Sequence, residues 1–140
     1  HPERVRVLVV GARDLPKADV MGKCDGYVVV SGPGGQGGST RWVERTYDPD
    51  FGESFWVDCG GEGDEVALQV FDHDAITADD LIGQVSVPIG ALTPSAPIEG
   101  SYELSDPKGS KGPVKGHSGK PTKVLVKFST DGSTPEVSAR

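Results

Sequence analysis

Glu65-Val66-Ala67-Leu68-Gln69-Val70-Phe71-Asp72-His73-Asp74-Ala75-Ile76-Thr77-Ala78-Asp79-Asp80 is the stretch that decides the fold. Val66, Leu68 and Val70 recur at every second position, the period of a strand with one buried face. Four aspartates then fall within Asp72–Asp80. Asp72 and Asp74 lie two apart in an extended stretch, so their side chains project to the same side. The stretch reads as a core strand that delivers a carboxylate-rich loop at its end.

Outward from it, short Val-rich or aromatic runs recur between Gly, Pro, Asp and Ser clusters, and helical periodicity is almost absent. Eight strands are predicted, over 4–10, 26–31, 40–45, 53–58, 65–71, 83–88, 100–104 and 122–129. The expected inward set is Val5, Val7, Val9; Tyr27, Val29; Phe55, Val57; Val66, Leu68, Val70; Val85, Val87; Val124, Val126 and Phe128. The predicted fold class is all-β, an eight-stranded antiparallel Greek-key sandwich. The 140 residues suit one domain, here 1–131, and the polar stretch 132–140 reads as a disordered tail. Hydrophobic residues at 35%, with 20 glycines added, suffice for a packed core.

Antiparallel strands joined end to end alternate direction, so every second connection emerges at the same end of the sandwich. That parity gathers residues 11–25, 46–52, 72–82 and 105–121 at one pole. Asp19 and Asp25 bracket a loop there and face Asp72, Asp74, Asp79 and Asp80. Carboxylates so gathered repel one another or take up protons unless a cation intervenes. A hard divalent ion with six to eight oxygen ligands fits, calcium better than magnesium, and Cys24 is the only soft donor nearby. Asp72-x-Asp74-x-Ile76-Thr77 is no EF-hand start, because it lacks an oxygen at the fifth place and Gly at the sixth.

At this point the residues resemble a known family. Val5-x-Val7-x-Val9-x-x-Ala12-x-x-Leu15, Asp25-Gly26-Tyr27-Val28, Thr46-x-Asp48-Pro49-x-Phe51-x-Glu53-x-Phe55 and Val70-x-Asp72-x-Asp74-x-x-Thr77-x-x-Asp80-x-Ile82-Gly83 are similar, in order and separation, to the C2 domain. The resemblance, over about 4–130, implies a calcium-dependent phospholipid-binding sandwich. It implies two calcium ions, or three at most, held by Asp19, Asp25, Asp72, Asp74 and Asp80, with Thr77 at a position that sometimes serves a further ion. Asp79 is out of register with that set and is expected to face solvent. An extra strand after Tyr102–Leu104 implies the phospholipase-type (type II) strand order, with the termini away from the calcium pole. Gly26 stands where Pro is usual, Phe51 where Trp is common and Gly52 where Asn is frequent.

With 14 Lys and Arg against 21 Asp and Glu, the charge is −7, which disfavours nucleic acid and anionic membranes until a cation reverses the sign locally. Two divalent ions would add +4 at the acidic pole and offer open coordination positions to lipid phosphate. Val20, Met21, Ala75 and Ile76 are the expected inserting tips, and Lys108, Lys111, Lys115 and Lys120 the expected contacts to an anionic membrane surface. The partner is then phospholipid, with no nucleic acid, and the chain is expected to be a monomer. A calcium-independent protein-binding or scaffolding module of the same fold is the alternative. No Ser or Cys has a convincing His partner, so an enzyme is not expected. Trp42 and Trp56 read as structural aromatics, His73 as a surface residue, and His1 and His117 as isolated. No apolar run approaches the ~20 residues that cross a bilayer, and no signal-peptide core opens the chain, so it reads as a soluble fragment. Cys24 and Cys59 fall at opposite poles, and two thiols so separated suit a reducing cytoplasm with peripheral membrane attachment on a calcium rise.

Overall fold

Valine at alternate positions draws the chain into strands whose inner faces meet. The computed structural model describes residues 3–17, 23–59 and 63–131. His1 and the expected tail, 132–140, lie outside the described residues. The strands are β1 (Glu3–Arg13), β2 (Gly26–Ser31), β3 (Gly37–Ser39), β4 (Asp50–Cys59), β5 (Glu65–Asp72), β6 (Asp80–Pro88), β7 (Ile98–Glu103) and β8 (Lys123–Thr130). Two four-stranded antiparallel sheets form, ordered β4-β1-β8-β7 and β3-β2-β5-β6. β8 pairs with β1 from Val5↔Thr130 to Arg13↔Lys123, the placement that the phospholipase-type order requires. Between the sheets, Val7, Val9, Val28, Val57, Val66, Leu68, Val70 and Phe128 are fully buried. Each such side chain contributes about 1.5–3 kcal/mol on leaving water.

Two expectations are corrected. β2 turns Val28 and Val30 inward, while Tyr27 and Val29 lie half-buried on the outer side. Cross-strand register decides this, since Val28 pairs with core-facing Val70 and Tyr27 with Phe71. The third strand is not 40–45 but the short β3, which pairs with Val29–Ser31 of β2. Gly37 permits that hairpin: its φ is +142°, and a Cβ there would meet the Val30 carbonyl oxygen at 2.0 Å. Beyond Ser39 the ladder fails, because Val28 N–H bonds the Thr40 side-chain oxygen (3.0 Å) and an extra residue separates the next contacts along the edge.

The connections β1–β2, β3–β4, β5–β6 and β7–β8 meet at one end. Leu15 N–H bonds Tyr47 O (2.9 Å), Thr46 N–H bonds Cys24 O (3.1 Å), His73 N–H bonds Asp25 O (2.9 Å) and His117 N–H bonds Leu15 O (3.0 Å). Backbone hydrogen bonds thus lace the four loops into one pole. Cys24 lies there, and Cys59 ends β4 beside the start of β1.

Candidate functional site

β2 begins and β5 ends at this pole, and their register sets the site. Asp72 pairs with Gly26 on one side and with Asp80 on the other. Asp25 precedes Gly26, so its backbone N–H reaches Asp72 Oδ1 (2.9 Å), and its own Oδ1 accepts the Arg45 N–H (2.8 Å). Asp74 folds the next turn, where its Oδ1 accepts the Ile76 and Thr77 N–H groups at 2.8 and 3.1 Å. This is the Asx turn that a short carboxylate side chain builds readily.

An open cleft of about 950 Å³ takes in Asp25, Asp72, Asp74, Ala75, Thr77 and Asp80 on its acidic side and Lys108, Lys111 and Lys115 on its basic side. Lys17, Lys23, Cys24 and Asp106 also line it. Of the sequence-derived set, then, four aspartates, Thr77, Ala75 and three lysines share one cleft. Ile76 is 92% exposed at the tip of the β5–β6 loop. Asp19, Val20 and Met21 lie outside the described residues. Lys120 does not line the cleft; it closes a turn in which Gly116 N–H bonds its carbonyl at 2.7 Å and its own N–H meets Ser118 Oγ at 3.3 Å.

Asp72 and Asp74, two residues apart, respond oppositely to their surroundings. Burial pushes the Asp72 carboxyl above its ordinary pKa, an effect that Asp25, Asp80 and Asp74 reinforce and the Asp25 N–H only partly offsets. The two backbone N–H groups at Asp74 hold its carboxyl below the usual range. Burial, then the charges of Asp72 and Asp25, push the Cys24 thiol up to about 12, so Cys24 stays protonated, with its Sγ donating to Pro16 O at 3.1 Å. The donor set is therefore hard oxygen. Among the described residues no group of three or more His, Cys, Asp or Glu side chains is already arranged around a metal position. The chemistry of four carboxylates with mutually unfavourable charge nonetheless fits a calcium-type cation.

Three residues behave differently from the sequence expectation. Asp79 is not a solvated bystander: it accepts the Tyr27 hydroxyl and the Asp74 N–H (2.9 Å), and its Oδ1 lies 3.3 Å from His73 Nδ1. His117 is not isolated, because its ring stacks on Tyr47 at 3.7 Å and its Nδ1 lies 2.7 Å from Asp14 Oδ1. Trp42 is 48% exposed and stacks on His73 rather than packing inside. Sequence reasoning also missed Lys17, Lys23 and Asp106, although Lys17 stands just before the Asp19–Asp25 stretch and Lys23 within it, so both are legible as neighbours of that loop.

The profile of the C2 domain matches residues 3–104. The chain belongs to the C2 domain family. Beyond the matched range, β8 completes the sheet, and a C2 domain of a plant extended synaptotagmin 1 aligns over 95% of this chain and 97% of its own, with a TM-score of 0.78 and 20% identity. The calcium-bound pair of C2 domains of extended synaptotagmin 2 aligns with 91% of the chain and 45% of its own, with a TM-score of 0.71 and 17% identity. In sequence, the mouse (Mus musculus) E3 ubiquitin-protein ligase NEDD4 is 30% identical over 123 residues, 81% of this chain and 14% of the ligase. The chain spans 4–20% of the length of the first curated relatives it matches. C2 domains are in general membrane- and lipid-binding modules rather than catalysts. Among the described residues no helix is long and apolar enough to cross a membrane.

Proposed function

We propose that this C2 domain is a calcium-dependent targeting module for anionic phospholipid membranes, working through its acidic pole. The observation that carries the reading is the environment of Asp72, half-buried among Asp25, Asp74 and Asp80 with its pKa raised. Such a site carries a standing cost when ion-free, and a divalent cation removes it. Asp19, Asp25, Asp72, Asp74 and Asp80 hold the ions, two in number or three at most, with Thr77 offering a further oxygen. Bound calcium supplies positive charge and coordination positions for lipid phosphate or carboxylate oxygens.

The remaining work falls to the chain's own residues. Lys108, Lys111 and Lys115 meet the anionic surface from the basic side of the cleft, each worth about 1 kcal/mol near such a surface and fading with salt. Lys17 and Lys23 add to them, while Lys120 serves the turn that holds the arm. Ile76 projects far enough to enter the interface, with Ala75 beside it and Val20 and Met21 as the apolar tip of the first loop. The calcium carried by the extended synaptotagmin 2 neighbour is a property of that protein and lends support by analogy. The resulting placement is cytoplasmic, with peripheral attachment when calcium rises. Co-sedimentation with phosphatidylserine vesicles, in calcium and in chelator, with Asp72→Asn alongside, tests the reading.

A further inference from the structure

The edge of sheet β3-β2-β5-β6 carries a feature that the carboxylates do not need. Thr40 N–H bonds Val28 O at 2.9 Å and Val43 N–H bonds Gly26 O at 3.0 Å, so Arg41 and Trp42 together span what Tyr27 alone spans on β2. An extra residue of this kind re-aims side chains. Here it throws the Trp42 indole outward onto the His73 imidazole, with ring centroids 3.8 Å apart and planes at 15°, and leaves Trp42 48% exposed.

The position of that ring matters more than its exposure. Val43, the next residue, bridges Gly26; Gly26 pairs with Asp72, and Asp72 with Asp80. Trp42 therefore sits one residue from the row that holds two proposed ligands, with a third, Asp25, beside Gly26. The β7–β8 loop with its lysines joins the same sheet at the opposite edge, through the Gln84↔Ser105 bridge on β6. Basic side chains border one flank of the acidic pole, and an exposed indole borders the other. His73 supports the indole from behind, itself set against Asp79 (3.3 Å). A tryptophan with an apolar body and a polar N–H suits the boundary between water and lipid.

We infer that Trp42 is an interfacial anchor, whose indole enters the headgroup region of an anionic phospholipid surface when the acidic pole docks. The inference rests on the membrane reading above and adds to it an orientation: the β3-side flank of the pole meets the lipid along with the loop tips. Trp56 supplies an internal control. It is 43% exposed, but it lies on the outer face of the other sheet, opposite Arg6 of β1, with the Arg4 guanidinium 4.2 Å over its ring.

The test uses two single-tryptophan variants, Trp56→Phe and Trp42→Phe, with vesicles of phosphatidylserine and brominated phosphatidylcholine in calcium or chelator. With calcium, the emission of Trp42 in Trp56→Phe should shift to the blue and be quenched by the bromine, and that of Trp56 in Trp42→Phe should not. Trp42→Ala should weaken partition into vesicles by about three- to tenfold, while its unfolding temperature checks that the sheet is intact. Unquenched Trp42 emission from protein that does sediment with vesicles overturns the inference and leaves the membrane reading standing. Equal quenching of both tryptophans also overturns it, because the orientation is then wrong. If the unaltered chain sediments with no vesicle, the membrane reading fails, and this inference fails with it.

Discussion

Two histidines brace the loop pole by the same three-part arrangement, one on each side. His73 stacks on Trp42 at 3.8 Å and turns Nδ1 toward Asp79 at 3.3 Å. His117 stacks on Tyr47 at 3.7 Å and turns Nδ1 toward Asp14 at 2.7 Å. Their carboxylates have different further duties. Asp79 also takes the Asp74 N–H, so the first brace is wired into the carboxylate site. Asp14 instead takes the Ser118 N–H (3.2 Å) and hydroxyl, and its backbone oxygen takes the Thr122 hydroxyl (2.6 Å). The second brace fastens the lysine-bearing β7–β8 loop to the end of β1. One geometry thus serves the carboxylate loop at one place and attachment of an arm at another.

The sharpest way to break the second brace alone is Gly116→Ala. A Cβ at Gly116 would lie 1.9 Å from the Asp14 carbonyl oxygen, so the loop must back away from β1. Thermal unfolding should show a loss of roughly 1–3 kcal/mol, the usual cost of overpacking, and vesicle binding should lose part of its lysine contribution. An unchanged unfolding temperature would mean that the arm is not fastened as described.

Removing the rings separates the braces more gently. His73→Ala and His117→Ala should each cost about 1 kcal/mol of stability, from a lost stack and a lost polar contact. Their second effects should differ. His73→Ala should alter Trp42 emission and calcium affinity in the absence of lipid, whereas His117→Ala should leave calcium affinity alone and weaken vesicle binding at low salt. Calorimetric titration with calcium and vesicle sedimentation check the pair, and identical profiles for the two variants would remove the distinction.

Acid should distinguish the carboxylates with the smallest effects. The Ser118 hydroxyl and N–H and the charges of His117 and Lys120 hold the Asp14 carboxyl below its ordinary value of 3.8 against the opposing pull of burial. A depressed folded-state pKa gives stability that is present above the unfolded value and lost as pH falls through the folded one. Asp72 has the opposite sign: its raised pKa means that its charge opposes folding at neutral pH, an opposition relieved as pH falls through the folded value. In calcium-free buffer at neutral pH, Asp72→Asn should therefore raise the unfolding temperature slightly and Asp14→Asn lower it. Both differences should shrink toward acid pH in melting curves.

Much of this pole is legible in the sequence because parity depends only on the number of strands. Counting strands places Asp25, Asp72, Asp74 and Asp80 together, and with them Lys108, Lys111 and Lys115, without any side-chain detail. Phase is harder. Tyr27-Val28-Val29-Val30 is apolar throughout, so its inward set is decided by the pairing of Val28 with Val70 and of Val30 with Leu68, on a strand far along the chain. The edge at 40–45 misleads because Trp42 and Val43 look like strand residues, whereas one surplus residue breaks the ladder there. Asp79 and His117 escape a sequence reading because their roles depend on remote residues: Tyr27, 52 residues away, joins the loop neighbours His73 and Asp74 on one, and Asp14 and Tyr47 reach the other from distant parts of the chain.

Cation-driven charge reversal at the acidic pole is tested by co-sedimentation of the chain with phosphatidylserine-containing and neutral vesicles, in calcium and in excess chelator, beside Asp72→Asn. The expected result is binding only to acidic vesicles, only with calcium, and lost in Asp72→Asn although that variant is folded. Equal binding in chelator, or full binding by Asp72→Asn, would contradict a cation-driven reversal of charge at the acidic pole.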